Sequence, residues 1–556
     1  MTSTKQNELQ TAVAVTGGAN DSLNSFSRGE RFIPMLLFVV SFTYLTAFRH
    51  YSSLEPDEGI VLQGAERILR GEVPYRDFFS FYTPGSFYLI AFLLRFIGDS
   101  LVVARLSLAI VGAVCSVITY LLVRKVCSRN MALFAAALTT VAGFAYRFLV
   151  LHNWYSTLLA CLALYAAVRL LESHTTWWAF ATGCLASMAV LFEQSKGAGL
   201  CLGLALGFVT LRFAGKEPVL QHSEVAGIVL GFLLPFLSSF AYFGAQHSFT
   251  IMLQDWFWPL RHYTQANHVP YGWQNWSDSS RETIFYSGSI AVRVLKTLAI
   301  SPGFLVPTLP LGGVGFFGYW AVQMRQKAAL DDSKYYVLTS AVLSGLFVSV
   351  LVVRADIIHF MYLVPLWYIL LAWILGSRHL GGRVLERIRP YLITYVGVAF
   401  GLMGLALLLA ATSARDWIET RHGKIVTGAK DTVIEYVQAR IAPGQEILVY
   451  PYLPLYNYLT ATRSPSPYDY FQAGMNTPEQ AQRIITSLRS HDAGAVLFEP
   501  WFASKFSTSW PGTPLGAIAK DPIADYIVRN YQVCKILTSA SNLRFEYMAP
   551  KNEPCP

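Results

Sequence analysis

Residues 101–123 read LVVARLSLAIVGAVCSVITYLLV. The stretch is nearly charge-free and about as long as the roughly 20 residues a helix needs to cross the hydrocarbon core of a bilayer. Runs of the same kind recur along the chain, among them 33–48 and 391–411, and soluble proteins rarely repeat such runs. Composition agrees, because 54% of the 556 residues are apolar and only 14% charged, against about a quarter charged in soluble domains. The chain therefore reads as a polytopic membrane protein, mainly α, rather than as three or four soluble domains.

About eleven transmembrane spans follow from the apolar runs: 32–49, 104–124, 130–149, 153–171, 177–193, 197–213, 223–244, 299–321, 335–353, 357–376 and 391–412. The first 30 residues are polar, and no small-residue cleavage site follows the first apolar run. That run is expected to be a retained helix, with residues 1–31 as a cytoplasmic tail. Basic residues then concentrate on one side: Arg124, Lys125 and Arg129; Arg169; Arg212 and Lys216; Arg325, Lys327 and Lys334; Arg378, Arg383, Arg387 and Arg389. The opposite short connections hold only Arg147, Lys196 and Arg354. This asymmetry predicts an inner-membrane protein with its N-terminus inside, and with loops 50–103 and 245–298 and everything after 413 outside. It also accounts for the net charge of +9 without nucleic acid as a partner.

The two long outer loops and the C-terminal region carry their own structure. In loop 50–103 an amphipathic helix is expected at 57–70, with Val61, Ala65, Ile68 and Leu69 opposite Glu66, Arg67 and Arg70 and with Gly71 as its stop. The stretch 84–97 is short for a span and reads as a juxtamembrane helix. Loop 245–298 is rich in Trp and Tyr, as suits the headgroup level. From Asp416 onward the pattern turns to α/β: strands at 446–450, 495–498, 533–537 and 544–548, a helix opening at Thr477-Pro478-Glu479-Gln480 with a capping box, and another helix at 522–530. The expected organisation is thus a transmembrane module over 32–412 and a small extracytoplasmic α/β domain over 413–556. Cys534 and Cys555 share that domain and are open to forming a disulfide. The other five cysteines lie in or beside apolar runs, and no CxxC pair suggests a metal.

Loop one reads Leu54-Glu55-Pro56-Asp57-Glu58-Gly59, then Gly71-Glu72-Val73-Pro74-Tyr75-Arg76-Asp77, then Tyr82-Thr83-Pro84-Gly85. An acidic pair just past the first span, a Pro-Tyr-Arg-Asp turn and a Pro-Gly before a juxtamembrane helix resemble the GT-C glycosyltransferases. The family 39-like branch, which includes protein O-mannosyltransferases and aminoarabinose transferases, is the nearest in pattern. The resemblance covers most of the chain, and it implies a GT-C fold and transfer of a sugar from a polyprenyl phosphate carrier to an acceptor on the outer face. Lys196, in Phe192-Glu193-Gln194-Ser195-Lys196-Gly197, is similar to a basic segment at this place in the family, as is the Arg354-Ala355-Asp356 turn with His359.

The chemistry agrees with the resemblance on its own terms. Nucleotide sugars are absent outside the membrane, and the chain has no P-loop, no convincing dinucleotide fingerprint and no Asp-x-Asp metal site. A lipid phosphate leaving group asks for cations near the interface, and an acceptor hydroxyl asks for a carboxylate base. Asp57 is the expected base, acting with inversion by direct displacement, and Glu58 a second carboxylate that orients the acceptor or substitutes for it. The competing reading makes Asp57 a simple helix cap after Pro56. Candidate donor-binding residues are Arg76 with Asp77, Tyr82 with Tyr75, Lys196, Arg261 with His262, and Arg354 with His359. For Arg76 and Asp77 the alternative is a surface pair, and for Lys196 it is snorkelling at a helix end. No metal cluster is expected, although distant relatives leave a divalent cation open. A lipid-linked sugar flippase or transporter would need ionisable residues at mid-membrane, and a polysaccharide polymerase or ligase more often places its large loop late. The early Asp57 loop disfavours both.

Overall fold

The computed structural model describes residues 30–214, 219–262, 267–276, 278–325, 332–376, 383–472, 474–490, 494–500, 509–513, 516 and 520–555. The tail up to residue 29, Tyr263 and the basic residues Lys216, Lys327 and Arg378 lie outside them. Among the described residues seven helices are long and apolar enough to cross a bilayer: Leu101–Arg124, His152–Ser173, Gln194–Phe213, His222–Ala245, Ile290–Arg325, Ser333–Val353 and Val384–Ser413. Each coincides with an expected span. The other four expected spans are occupied by shorter or interrupted helices: Ile33–Thr46, Arg129–Leu138, Thr176–Phe192, and Ile357–Met361 with Val364–Gly376. Helices without a hydrophobic drive to associate in lipid pack where small residues let backbones approach. Gly345, in Ser333–Val353, faces the Gly199 carbonyl and Gly203 so closely that a Cβ would not fit.

Helix Arg129–Leu138 does not run on as an α-helix. It continues as a π turn, Thr139–Gly143, and a 3-10 turn, Phe144–Arg147, the kind of interruption often found at functional sites. Trp154 stacks on Phe144 with centroids 4.2 Å apart and donates its indole N–H to the Arg147 carbonyl at 2.9 Å. The backbone carrying Arg147 is therefore anchored.

Loop one forms helix Pro56–Leu69, with Glu55 as N-cap and Pro56 in the first helical position. Gly71, at φ +92°, takes the left-handed turn that ends it. The expected polar face is corrected at Arg67, which is 6% exposed. It pairs with Glu72 at 2.7 Å and Asp469 at 3.1 Å, with its guanidinium over the Phe78 ring. This is because the helix lies between the membrane module and the C-terminal domain and so has little solvated face. Gly59 makes that docking possible: a Cβ there would collide with the backbone of Leu455. The single charge of the 101–123 stretch, Arg105, pairs with Glu58 at 2.6 Å, and both side chains are fully buried. Helix Gly85–Phe96 leaves Phe92 and Phe96 exposed, as a juxtamembrane element should.

The C-terminal region contains a hairpin, β1 (Asp416–Thr420) and β2 (Gly423–Thr427), and a four-stranded sheet. That sheet runs β3 (Leu448–Tyr450), β4 (Val496–Phe498), β6 (Arg544–Pro550), β5 (Tyr531–Thr538), with β3–β4 parallel and the other pairs antiparallel. The expected strands and both expected helices are present. The capping box is formed as expected: Gln480 N–H donates to Thr477 Oγ1 at 3.3 Å, and Thr477 N–H donates to Gln480 Oε1 at 2.9 Å. The hairpin and helices Val433–Arg440 and Leu455–Leu459 are additional to the sequence reading. Cys534 and Cys555 are joined in a disulfide. β2 is tied to the exit of the first helix, with Ser52 N–H on the Val426 carbonyl at 2.9 Å.

Two predictions follow from this packing. Replacing Arg105 with Met leaves Glu58 as an uncompensated buried charge and should destabilise the fold by about 3–5 kcal/mol. Differential scanning in detergent should show a much lower thermal midpoint, part of which returns when Glu58→Met is added. Asp255, in helix Phe249–Arg261 and outside the expected spans, is 8% exposed. Burial lifts its carboxyl from 3.8 to about 7, against the Ser80 N–H and the Arg483 charge, which lower it. A raised folded value means the stabilising contribution is full below the ordinary carboxylate range and is lost as pH rises through about 7. The thermal midpoint should therefore decline across that window, and Asp255→Asn should flatten the decline.

Candidate active site

A cavity of about 740 Å³ lies where the helix ends meet the C-terminal domain. Its wall draws on loop one (Asp57, Tyr82), the 245–298 loop (Trp256, Phe257), the Arg354–His359 turn, and Tyr452, Tyr470 and Trp510 from the C-terminal domain. One side is apolar and continues onto exposed surface: Leu202, Phe257, Leu260, Val348 and Val352 line the cavity and are each more than a third exposed. A chamber of this kind suits an amphipathic ligand, polar at one end and greasy at the other.

Asp57 is at its polar end, with the side chain 41% exposed. Because the N-cap position belongs to Glu55, the carboxylate is not occupied by capping. Arg147 Nη2 donates to Asp57 Oδ2 at 2.8 Å, and the Tyr452 hydroxyl donates to Oδ1 at 2.5 Å. Glu55 lies 3.8 Å from the same guanidinium. An ionised carboxylate has about four lone-pair sites, so two bonds leave it able to accept a proton from a third group.

Arg354 is the second cation on the wall. It is 5% exposed, donates to Asp356 Oδ2 at 2.5 Å and to Asn267 Oδ1 at 2.8 Å, and also donates to the Ser509 carbonyl. Asp356 caps helix Ile357–Met361 through the His359 N–H and engages His359 Nδ1 at 2.6 Å. Burial raises the Asp356 carboxyl, but His359 and Arg354 together hold it well below the ordinary carboxylate range. With Nδ1 engaged, Nε2 is the ring nitrogen that can meet a ligand. Tyr82 lines the wall as well, its ring 4.2 Å from that of His152.

Other expected site residues do not reach the cavity. Glu58 is fully buried, held by Arg105 and by the Val150 N–H at 3.1 Å, and does not line the wall. Arg76 and Asp77 form an exposed pair at 2.8 Å, with Asp77 also holding the Val73 N–H at 2.7 Å. Tyr75 is packed, donating to the Tyr82 carbonyl and accepting from the Trp256 indole. Lys196 is 2% exposed and neither snorkels nor faces the cavity. Its Nζ meets Asn153 O, Ser156 Oγ, Thr157 Oγ1 and Glu193 within 3.1 Å, so its three protons are taken and it instead holds Glu193, which does line the wall. Arg261 is exposed, next to the cavity residue Leu260, and His262 stacks on Trp258.

Arg147 and Tyr452 were not foreseen as site residues. Arg147 figured only as a charge in a short connection, and the break that turns it inward has no plain signature in the sequence. Tyr452 is 395 residues from its partner, beyond any local pattern. Among the described residues one group, Glu66, Asp99 and His422, brings three potential ligand atoms within 4.8 Å. It lies outside the cavity, and His422 Nδ1 pairs with Asp99 at 2.8 Å.

Residues 82–242 match the family model described as dolichyl-phosphate-mannose-protein mannosyltransferase. Among solved structures the chain is similar to ArnT from Cupriavidus metallidurans bound to undecaprenyl phosphate, with TM-score 0.54 and 12% identity over 94% of this chain and 98% of that one. It is also similar to the Archaeoglobus fulgidus oligosaccharyltransferase, solved in complex with Zn and sulfate, with TM-score 0.51 and 12% identity over 92% and 72%. At such identity these two likenesses carry the fold alone. No curated protein matches the chain. The family match is thus confined to residues 82–242, while the fold shared with these two structures extends over most of the chain.

Proposed function

We propose that the chain transfers a sugar from a polyprenyl phosphate-linked donor to an acceptor hydroxyl on the extracytoplasmic side, with inversion at the anomeric carbon and Asp57 as general base. The acceptor would be a glycolipid, a polysaccharide or a protein. The observation that carries this reading is a half-exposed carboxylate on the wall of a cavity that also holds Arg354 and opens along apolar side chains. The polyprenyl tail would lie along Leu202, Val348 and Val352. The phosphate would meet His359 Nε2 and the guanidinium of Arg354, whose charge stabilises the leaving group as the glycosidic bond breaks. The acceptor hydroxyl would approach from the opposite face and lose its proton to Asp57 as the new C–O bond forms. Residues 1–31 would face the cytoplasm and 413–556 the outside, with the C-terminal domain covering the cavity. The undecaprenyl phosphate bound to ArnT is the ligand chemistry this arrangement suits.

The test is turnover of the purified protein on a panel of short-chain polyprenyl phosphate-linked sugars, read as release of free polyprenyl phosphate. Replacing a base by its amide should lower turnover of Asp57→Asn by at least about a hundredfold, or roughly 2.7 kcal/mol. A folded Asp57→Asn protein with normal turnover contradicts the assignment. Movement of labelled lipid-linked sugar across proteoliposomes without an acceptor would favour a transporter instead.

A further inference from the structure

The geometry points to Tyr452 as a positioning residue for Asp57, making the C-terminal domain a working part of the catalytic site as well as its cover. This inference rests on the general-base reading of Asp57. Two donors from different parts of the chain hold the two oxygens of one carboxylate: Arg147, from the broken membrane helix, on Oδ2, and Tyr452, from the C-terminal domain, on Oδ1. Tyr452 is 3% exposed, and its ring meets Tyr470 edge-on at 4.5 Å; Tyr470 in turn meets Phe81 of loop one at 5.2 Å.

The distance between Tyr452 and Asp57 is also set by the backbone. Two residues past Asp57, Gly59 sits against the backbone of Leu455, three residues past Tyr452. The same close packing therefore fixes both ends of the hydrogen bond. Burial and then the charge of Asp57 push the Tyr452 phenol well above its ordinary value, so it remains a proton donor to the carboxylate. Without the phenol proton, Arg147 alone would hold the carboxylate and would draw it away from the acceptor. Misplacement of a reacting group by about an ångström can cost up to a hundredfold.

The test is Tyr452→Phe, which keeps the ring and removes the hydroxyl, in the carrier-release assay with the short-chain polyprenyl phosphate-linked sugars. The expected result is a fall in kcat of at least about tenfold, the size of one hydrogen bond to a charged group, with donor KM changed by less than about twofold and the protein still folded at the assay temperature. In an Asp57→Asn background the same substitution should cost little further, because the group it positions is gone. Unchanged kcat, an equal loss in the Asp57→Asn background, or a loss explained by weaker donor binding or by unfolding at the assay temperature would each make Tyr452 a packing residue and overturn the inference. If Asp57→Asn is inactive while Tyr452→Phe is normal, only this inference falls. If Asp57→Asn turns over normally, the general-base reading beneath it falls.

Discussion

The Arg105–Glu58 ion pair organises this end of the molecule. Both side chains are fully buried, and each has further partners: Arg105 donates to the Tyr51 carbonyl at 2.5 Å, and Glu58 accepts from the Val150 N–H at 3.1 Å. The exit of the first helix, the loop-one helix, the 101–124 span and the segment after Arg147 are thereby joined at one point. Taking two charges out of water is costly, so such a pair is weak evidence of net stability. Its effect here is geometric. Successive residues of a helix point about 100° apart, and with Glu58 drawn into the interior, Asp57 is turned to the cavity. Arg147, three residues before Val150, arrives on the same side.

The charges around the cavity follow a consistent scheme. Three buried cations near it are each paired, as burial requires: Lys196 with Glu193, Arg354 with Asp356, Arg67 with Asp469. Asp57 differs in being half exposed while held by two donors, so its position is fixed while it stays accessible. The basic residues of the site lie at the helix ends and not at mid-membrane, which suits a ligand whose charged group stays at the interface.

The fold was legible because lipid imposes a strong pattern on sequence: long charge-free runs. The α/β region was legible because its strands are short apolar runs between turn residues and because Thr477 and Gln480 form a local cap. The Asp57 pattern was legible as a motif. What stayed hidden depends on contacts between distant segments. Whether Glu58 or Asp57 faces the cavity is decided by Arg105, and the inward turn of Lys196 depends on carbonyl and hydroxyl partners from helix His152–Ser173. Arg67, on a face that periodicity marks as polar, is buried because the C-terminal domain docks there. None of these outcomes is encoded within the few residues around the side chain concerned.

The central claim is that a carboxylate at position 57 looks outward into an accessible cavity at the membrane surface. Substituted-cysteine labelling tests it directly: Asp57→Cys in a background lacking the five free cysteines, exposed to a membrane-impermeant maleimide in intact spheroplasts. The account predicts modification from the outside without permeabilisation, and no modification of Glu58→Cys beside it, whose side chain is fully buried. Labelling of position 57 only after the cytoplasmic face is opened would contradict the orientation of the site and the chemistry proposed for it.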